Sequence, residues 1–414
     1  MYRGRIPVRT GQRIVVVACT AVLAIQVAVI ADRRAKRPSD FDIAREFGRR
    51  FLAGENLYQG GLHFPYLPAA AMVHAPLALV GPQVGFAARY FVALAALALT
   101  LSMLGRMLPL RFASSEERFA VAATAVALGL QYVLRDLGEA GPHLILLALV
   151  IGGVFLAGRG HDAAAAPLVG LAISVKTPLA FLLPFFAWKR RWALLLWTAL
   201  ATALWIVAPA LWMGPTSWWT HHRTWARASL PFIASAAAGD ASGPPVAVRA
   251  IEDWPNNQSL RAVLARNLPD RLLRADAAAS LLTGVFVACV GWWMRRPLRA
   301  PGDRAWLVQS SAALILAAIL SPIAWRQHLV FALPALYLVV ARHRTAGGIG
   351  RSATAAMALY CVLALVLNRE IVGRDLSYQL NGYGLHTWAM LLVLGVLMTS
   401  VPCPYPDEAP AGEK

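Results

Sequence analysis

Long apolar segments separated by short polar breaks recur from residue 14 to residue 401. A helix that crosses a bilayer needs roughly 20 mostly apolar residues. Because backbone polar groups in lipid must be satisfied within the protein, such segments are either helices or the strands of a closed barrel. The apolar runs are continuous rather than alternating and are rich in Ala and Leu, which favours helices. The pattern therefore predicts an all-α, polytopic integral membrane protein with about 11–13 membrane segments.

Basic residues at the ends of these segments predict their orientation. The first apolar run, residues 14–30, follows four arginines and lacks a small-x-small cleavage site, so we interpret it as an uncleaved first span rather than a signal peptide. Three basic turns, residues 189–191, 295–299 and 342–344, lie an even number of spans apart and are assigned to the cytoplasm. The connections at about 32–65, 213–277 and 369–383 then face outside.

The stretch from residue 66 to residue 188 admits two topologies. Residues 66–80 contain two prolines and are predicted to be re-entrant or tilted. The run 164–188 holds Lys176 and Pro178 near its middle, so it is either one long span or two half-helices broken there. We favour the break, because it places several arginines inside and three other charged residues outside. The arginines are Arg106, Arg111, Arg118 and Arg159, and the outer residues are Asp136, Glu139 and Lys176.

Composition supports a membrane protein and excludes other classes. The 414 residues are 58% hydrophobic and 14% charged, whereas soluble domains carry about 25% charged residues. The net charge of +18 would suggest nucleic acid in a soluble protein, but no soluble basic domain is present, so we expect contact with membrane lipids instead. The four cysteines form neither a disulfide framework nor a metal spacing. We predict one domain over residues 1–401 and a disordered cytoplasmic tail over 402–414.

The first outer connection contains a predicted amphipathic helix over residues 40–53. Ser39 or Asp40 is suited to cap it, and Gly54 is suited to end it. One interpretation is an interfacial helix with a capping aspartate and arginines that reach the lipid headgroups. The functional interpretation makes Asp40 or Asp42 a general base at the membrane surface. Arginines in the same helix would then bind a phosphate.

Other polar residues gather in the later outer connections. A tryptophan cluster near residues 218–225 fits an aromatic belt or a sugar-stacking surface. The pair His221–His222 has no carboxylate or cysteine at ligand spacing, so we predict no metal site. A polar run includes Asn257 and Gln258, and a proline turn leads to Arg326 and His328 in the same predicted layer as Asp40. The last connection adds Arg374, Asp375, Tyr378, Gln379, Asn381 and Tyr383.

Several of these pieces together resemble glycosyltransferase family 87. This family comprises polyprenol-phosphate-sugar-dependent enzymes of the GT-C superfamily, including phosphatidylinositol mannoside α-1,2-mannosyltransferases. The ordered motifs span most of the chain, and the set is more specific than any one motif. They are Asp40-Phe41, Leu52-Ala53-Gly54-x-x-Leu57-Tyr58, Phe64-x-Tyr66-x-Pro68, Lys176-Thr177-Pro178, Asn257-Gln258-Ser259-Leu260 and Ser321-Pro322-Ile323-x-Trp325-x-x-His328. One departure is residues 138–143, Gly-Glu-Ala-Gly-Pro-His, where many members show Gly-Gln-x-Asn.

The resemblance implies a GT-C fold and an inverting hexosyltransferase. The donor would be a polyprenyl-phosphate hexose, with mannose expected, and the acceptor a lipid or glycan hydroxyl. The site would face the extracytoplasmic side of a bacterial plasma membrane and would need neither metal nor cofactor. Asp40 is the predicted base and Asp42 the second candidate. The predicted substrate-binding residues are Arg45, Arg49, Tyr58, Lys176, Asn257, Gln258, Arg326 and His328.

Two other functions remain open at the level of sequence. A transporter or lipid flippase would also carry polar residues at membrane depth, but near the midplane and in two related halves. Here the polar residues gather on the predicted outer side, apart from Lys176. A catalytically inactive scaffold with the family fold is the second alternative, and the presence of Asp40 and His328 argues against it.

Overall fold

A computed structural model of the chain describes residues 39–58, 66–108, 114–238, 253–268, 275–295, 298 and 303–401. Within these ranges the chain is helical and no strand occurs. The helices of the first half are α1 (Asp40–Ala53), α2 (Pro68–Ala78), α3 (Pro82–Met107), α4 (Ser115–Leu128), α5 (Leu130–Glu139), α6 (His143–Ala157), α7 (Asp162–Val175), α8 (Leu182–Trp188), α9 (Trp192–Val207), α10 (Ala210–Met213) and α11 (Pro215–Ala238).

The second half continues the helical architecture and contains shorter irregular helices. Its α-helices are α12 (Leu260–Asn267), α13 (Ala275–Trp293), α14 (Arg304–Ile319), α15 (Leu333–Thr345), α16 (Arg351–Cys361), α17 (Arg369–Val372), α18 (Arg374–Gly382) and α19 (Leu385–Ser400). Short 3₁₀ helices cover Thr177–Phe181 and Arg326–Ala332, and a π-helical segment covers Val362–Val366.

Among the described residues, two helical segments are long and apolar enough to cross a bilayer by themselves. They are Pro82–Met107 and Trp192–Met213, of which the second joins α9 and α10. The bent pairs α4–α5 (71°) and α18–α19 (60°) raise the number to four if each pair is one crossing. The predicted all-α membrane fold is confirmed. The count of 11–13 segments stays a prediction, because breaks divide the apolar stretches and residues 14–30 lie outside the described ranges.

An exposed apolar stripe runs along α9 and α10. Trp192, Leu196, Leu200 and Leu204 follow each other at helical spacing, and their exposed fractions are 57%, 68%, 49% and 62%. A continuous apolar surface of this kind is a liability in water and suits contact with lipid. Trp192 and Trp212, which is 62% exposed, lie at the two ends of the stripe, about 30 Å apart along the helix. That separation matches the thickness of a hydrocarbon core, and tryptophans at both ends match an aromatic belt.

Helices α6 and α7 pack as a tight antiparallel hairpin. A Cβ atom on Gly153 would collide with the side chain of Val169, and Gly152 lies against Leu168. The two glycines therefore allow the helices to approach more closely than larger residues permit. Because the hairpin is antiparallel, the beginning of α6 and the end of α7 lie in the same layer.

The chain turns back after Lys176. Arg191, which follows α8, donates hydrogen bonds from Nη2 to Asp162 Oδ1 (2.6 Å) and to the Ala157 carbonyl (2.8 Å). The segment that leaves Lys176 therefore returns to the beginning of α7, about 21 Å away along that 14-residue helix. This confirms the predicted break at Lys176 and excludes a single straight span over residues 164–188.

Several other predicted elements can be compared directly. Helix α1 covers the predicted range, begins after Ser39 and ends at Gly54, whose φ of +68° suits glycine. Residues 66–80 form the short helix α2 with Pro76 inside it. The predicted outer connection 213–277 contains helices α11 and α12, and the predicted outer connection 369–383 contains α17 and α18. The predicted first span and the predicted tail lie outside the described residues, and the single-domain boundary stays a prediction.

Gln258 ties two distant segments together. It is fully buried, and its Nε2 donates to the carbonyls of Pro255 and Asn381, both at 2.9 Å. Its Oε1 accepts from the backbone N–H of His386 at 3.1 Å. The amide therefore fixes the entry to α12 against the connection between α18 and α19.

Asn257 makes the corresponding link to the proline turn before the second 3₁₀ helix. Its Oδ1 accepts from the Ala324 N–H (3.0 Å) and its Nδ2 donates to the Pro322 carbonyl (3.1 Å). The Gln258 N–H donates to the Ala324 carbonyl at 2.7 Å. Together the two amides hold the segment that precedes Gln327 and His328.

We expect Gln258→Met to lower the thermal stability of the protein. Methionine has a similar length but cannot replace the amide, so the His386 N–H loses its partner in a buried place and the Asn381 carbonyl keeps only its bond from the Gly384 N–H. Each buried unpaired group costs about 1–3 kcal/mol. Thermal unfolding of the detergent-purified protein measures the effect. The control is Gln379→Met at an exposed position of α18, and equal melting temperatures for the two variants would contradict the proposed link.

Candidate functional site

The first turn of α1 contains two aspartates with different surroundings. Ser39 donates to Asp42 Oδ2 from both its backbone N–H (2.8 Å) and its Oγ (2.7 Å). Asp42 is therefore used to cap the helix. Asp40 instead reaches a distant segment, because its Oδ2 accepts a hydrogen bond from Gln327 Nε2 at 3.0 Å.

Asp40 also lies beside a second carboxylate. Its backbone N–H points to Glu139 Oε2 at 3.4 Å, and Glu139 in turn pairs with Arg135 Nη2 at 3.0 Å. The surrounding protein partly desolvates the Asp40 carboxyl and raises its pKa above the usual value. The charge of Glu139 acts in the same direction, whereas Arg135 and the hydrogen bond from Gln327 oppose it. A raised pKa suits a carboxylate that works as a base near neutral pH.

Consecutive residues on the second 3₁₀ helix join Asp40 to the break after α7. Gln327 holds Asp40, and the next residue, His328, has its Nε2 only 3.0 Å from Lys176 Nζ. Lys176 and His328 are both buried. The loop links described above position this helix, because Asn257 and Gln258 fix the turn immediately before it.

The contact between His328 and Lys176 brings two hydrogen-bond donors together. His328 Nδ1 accepts from the Trp325 N–H at 3.2 Å, so the proton of a neutral ring lies on Nε2. A lysine ammonium group can only donate. The two groups therefore face each other as donors when Lys176 is charged and the His328 proton lies on Nε2, and an anion that accepts from both would satisfy this arrangement.

A buried carboxylate–histidine pair adjoins this contact. Asp136 Oδ1 is 2.7 Å from His143 Nδ1, and Asp136 Oδ2 accepts from the Leu144 N–H at 2.9 Å. The carboxylate thus caps α6 from the preceding helix, where the helix dipole favours negative charge. A Cβ atom on Gly141 would collide with Asp136 Oδ1, so glycine is needed there. The rings of His143 and His328 lie with their centroids 4.6 Å apart.

Arg89 and Tyr66 complete the cluster. The Lys176 ammonium group lies 5.5 Å from the centre of the Tyr66 ring. Arg89 on α3 is buried, and its Nη1 lies 3.1 Å from His74 Nδ1. The Nε atom of Arg89 has no hydrogen-bond partner. Its charge interacts with Asp136 and Tyr66. Arg89 is therefore a second buried cation in the cluster that contains Lys176.

Three of the residues predicted from the sequence therefore come together: Asp40, Lys176 and His328. Arg45 and Arg49 have other contacts. Arg45 donates to the Val80 carbonyl (3.1 Å), and Arg49 forms ion pairs with glutamates of α1 and its end. These contacts stabilise α1 against its neighbours, and a direct role of the two arginines in phosphate binding stays a prediction.

Tyr58, Arg326 and the two amides lie around the cluster. Tyr58 donates from its hydroxyl to the Tyr66 carbonyl at 2.9 Å and so fixes the start of α2. Arg326 is half-buried and interacts electrostatically with Arg135 and Glu370. The described contacts of the Asn257 and Gln258 amides are with backbone groups of the chain, apart from a 3.5 Å hydrogen bond that Thr387 Oγ1 donates to Gln258 Oε1. That these four residues bind substrate stays a prediction, and their observed contacts position the segments that carry Tyr66, Gln327 and His328.

His221 has a structural role in the described part of the chain. Its Nδ1 lies 2.7 Å from the Ser217 carbonyl and its Nε2 accepts from the Leu57 N–H at 3.1 Å. Nδ1 therefore holds the ring against its own helix, and Nε2 attaches the Leu57 backbone of the predicted first outer connection to α11. Among the described residues, no group of three or more His, Cys, Asp or Glu side chains is placed to hold a metal ion.

Sequence reasoning did not assign four residues of the cluster: Arg89, Asp136, His143 and Gln327. Arg89, Asp136 and His143 carry a usable signal, because ionisable residues within apolar segments are functional candidates. Gln327 gives no such signal, since a glutamine beside a proline turn is common at a membrane surface. Its importance follows only from its contact with Asp40, 287 positions earlier in the chain.

Comparisons with known proteins agree with the resemblance found in the sequence. The model of glycosyltransferase family 87 matches residues 64–322, more than half of the chain. The polyprenol-phosphate-mannose-dependent alpha-(1-2)-phosphatidylinositol mannoside mannosyltransferase of Mycolicibacterium smegmatis (strain ATCC 700084 / mc(2)155) is 28% identical over 400 residues. That alignment covers 87% of this chain and 84% of the relative. No solved structure matches the chain.

The family match contains Arg89, Asp136, His143 and Lys176, whereas Asp40 and His328 lie just beyond its two ends. The alignment with the mycobacterial protein extends over most of the chain. Together with the helical membrane fold, these matches establish that the chain belongs to glycosyltransferase family 87.

Proposed function

We propose that this glycosyltransferase moves a hexose, mannose, from a polyprenyl phosphate to a hydroxyl group of a lipid or glycan. The observation that carries the proposal is that two consecutive residues, Gln327 and His328, join the Asp40 carboxylate to the buried Lys176 ammonium group. A base and a phosphate site are the two parts that transfer from a glycosyl phosphate requires. The similarity to the mycobacterial relative, whose name contains polyprenol-phosphate-mannose, supports this class of donor.

The reaction consists of one displacement at the anomeric carbon. Asp40 accepts the proton of the acceptor hydroxyl, and the acceptor oxygen attacks the anomeric carbon. The bond between that carbon and the phosphate oxygen breaks, and polyprenyl phosphate leaves with the bonding electrons. A single displacement inverts the anomeric configuration. Gln327 keeps the Asp40 carboxylate oriented through its 3.0 Å hydrogen bond.

The leaving phosphate requires positive charge, because its own charge increases in a poorly solvated layer. Lys176 Nζ and His328 Nε2 lie 3.0 Å apart and both present protons. A phosphate oxygen that accepts from both removes the donor–donor contact described above. Arg89, with its unpartnered Nε, adds a second buried cation nearby. These groups supply charge stabilisation without a metal ion in the proposed mechanism.

The direction of the helices supports a site on the extracytoplasmic side. His143 begins α6 and Lys176 follows α7, so both lie at the same end of the hairpin. The opposite end contains Arg159 and Arg191, with Arg191 bonded to Asp162. Basic residues collect on the cytoplasmic side of membrane proteins. The cluster then faces the other side, which in a bacterial plasma membrane is extracytoplasmic.

We expect Asp40→Asn to reduce sugar transfer by about 10²–10⁴-fold, the usual contribution of a positioned base. Asparagine retains the size of the side chain but cannot accept the proton. The measurement uses detergent-purified protein, synthetic polyprenyl-phosphate mannose and a lipid extract of the host. Thermal unfolding and donor binding are measured in parallel, and both should remain close to wild type. Asp375→Asn, at an exposed position of α18, is the matched control.

If the Asp40→Asn variant retains transfer, the role of general base passes to the second candidate, Asp42. The Asp42→Asn variant then tests that assignment. We expect Asp42→Asn to lower thermal stability, because the carboxylate accepts two hydrogen bonds from Ser39. No transfer by the wild type with any polyprenyl-phosphate hexose would contradict the proposed donor class and favour a transporter or an inactive scaffold.

The acid limb of the pH profile should depend on Glu139. A general base works only when deprotonated, so kcat/KM falls as the pH drops through the raised pKa of Asp40. The charge of Glu139 contributes to that raised pKa. We therefore expect Glu139→Gln to lower the pKa of Asp40 and to move the acid limb to lower pH. Steady-state kinetics between pH 4 and pH 8, about the range in which carboxylates and histidines titrate, measures the shift.

The control for this profile is Glu116→Gln, at an exposed position in the first turn of α4. It removes the same charge from the chain, and its acid limb should coincide with that of the wild type. An acid limb that moves equally in both variants, or in neither, would show that Glu139 does not set the titration.

A further inference from the structure

The pair formed by Asp136 and His143 has no role in the proposed mechanism. Asp136 Oδ1 lies 2.7 Å from His143 Nδ1, and the same carboxylate accepts backbone hydrogen bonds from Leu144 (2.9 Å) and His143 (3.4 Å). Both residues are almost completely buried, with exposed fractions of 0% and 1%. A carboxylate held by two backbone groups is a rigid support, so it fixes both the tautomer and the orientation of the imidazole.

The hydrogen bond to Asp136 determines what the other ring nitrogen does. An ionised carboxylate can only accept hydrogen bonds, so the proton of the neutral imidazole lies on Nδ1. The Nε2 atom is then an acceptor. It is buried and has no hydrogen-bond partner. A buried acceptor without a partner is costly, and a ligand hydroxyl would supply the missing proton.

The rings of His143 and His328 are neighbours, and their Nε2 atoms have opposite hydrogen-bonding roles. Their ring centroids are 4.6 Å apart and their planes are inclined by 41°. His328 presents an Nε2 proton toward Lys176, whereas His143 presents an Nε2 lone pair. A glycosyl phosphate needs this combination. Its phosphate oxygens accept hydrogen bonds, and the hydroxyl on the ring carbon next to the anomeric carbon donates one close to them.

We infer that His143 accepts a hydrogen bond from the C2 hydroxyl of the transferred sugar and that Asp136 is the positioning residue that holds it ready. The inference rests on the proposed function, since it assumes that His328 and Lys176 bind the donor phosphate. It makes His143 a specificity residue: a donor that lacks the C2 hydroxyl leaves the buried Nε2 unpaired, whereas the full donor satisfies it.

A variant that keeps the hydrogen bond to Asp136 but removes the Nε2 acceptor distinguishes a ligand-binding role from a purely structural one. In His143→Asn the side-chain amide still donates to Asp136, as Nδ1 does, but it is too short to place an acceptor at the Nε2 position. His143→Gln instead places an amide oxygen near that position and should restore part of the function. Both variants avoid leaving the buried Asp136 charge unpaired, which would endanger folding.

The experiment compares polyprenyl-phosphate mannose with its 2-deoxy analogue in the full-length, detergent-purified protein. We expect the wild type to favour the full donor by roughly tenfold in kcat/KM, the size of one hydrogen bond to a neutral partner. His143→Asn should lose about the same factor on the full donor and nothing further on the 2-deoxy donor. His143→Gln should recover part of the preference. Melting temperatures are measured for all variants.

His222→Asn is the matched control. His222 also binds a carbonyl through Nδ1, at 2.9 Å from Trp218 O, and also has a buried Nε2 without a partner, but it lies on α11. Its variant should retain the wild-type preference between the two donors.

Two results would overturn the inference while the proposed function stands. In the first, the wild type binds both donors with the same affinity. In the second, His143→Asn slows both donors by the same factor, which indicates a structural role alone. If the wild type neither binds nor transfers any polyprenyl-phosphate hexose, the proposed function fails and the inference fails with it. Donor binding, followed by tryptophan fluorescence, separates that case from the other two.

Discussion

Charge that is buried among apolar helices must be compensated by hydrogen bonds or by opposite charge, and the candidate site depends on this requirement. Asp136 is fully buried and is stabilised by the N-terminus of α6 and by His143. Lys176 and Arg89 are buried near it and interact with its charge. Removing any of these groups leaves another without compensation. The helices that carry them are therefore held in one arrangement by electrostatics as well as by packing.

Close helix packing places His143 and Lys176 in a single layer. The glycines of α6 allow α7 to approach, and the antiparallel hairpin places the first residue of α6 beside the residue that follows α7. The loop amides Asn257 and Gln258 then hold the turn before the second 3₁₀ helix. The chemistry of the site is thus supported by residues that do not themselves face the ligand in the proposed mechanism. Such supporting contacts determine whether reacting groups remain within productive distance.

Three aspartates in or next to the site illustrate how surroundings assign roles. Asp42 accepts hydrogen bonds from Ser39 and caps α1, and Asp136 orients His143. Asp40 makes a side-chain hydrogen bond to Gln327, lies beside Glu139 and has a raised pKa. Identical side chains therefore serve a helix cap, an oriented imidazole and a proposed base. The division follows from hydrogen-bond partners and local charge, which is the general way in which carboxylates in one site are differentiated.

The sequence by itself determined the membrane class, the helical fold and helix α1 with both of its ends, and it favoured the break at Lys176. These features follow from local rules, namely apolar length, capping residues, glycine and proline, which act within a few residues of one another. It also singled out Asp40, Lys176 and His328 as candidates. Only the tertiary structure decided that Gln327 holds Asp40, that Arg45 and Arg49 bond elsewhere, and that Asp136 orients His143 beside His328. The contacts of Gln327 and of the two histidine rings join positions far apart in the chain, and their geometry is set by helix packing and by the pairing of buried charge.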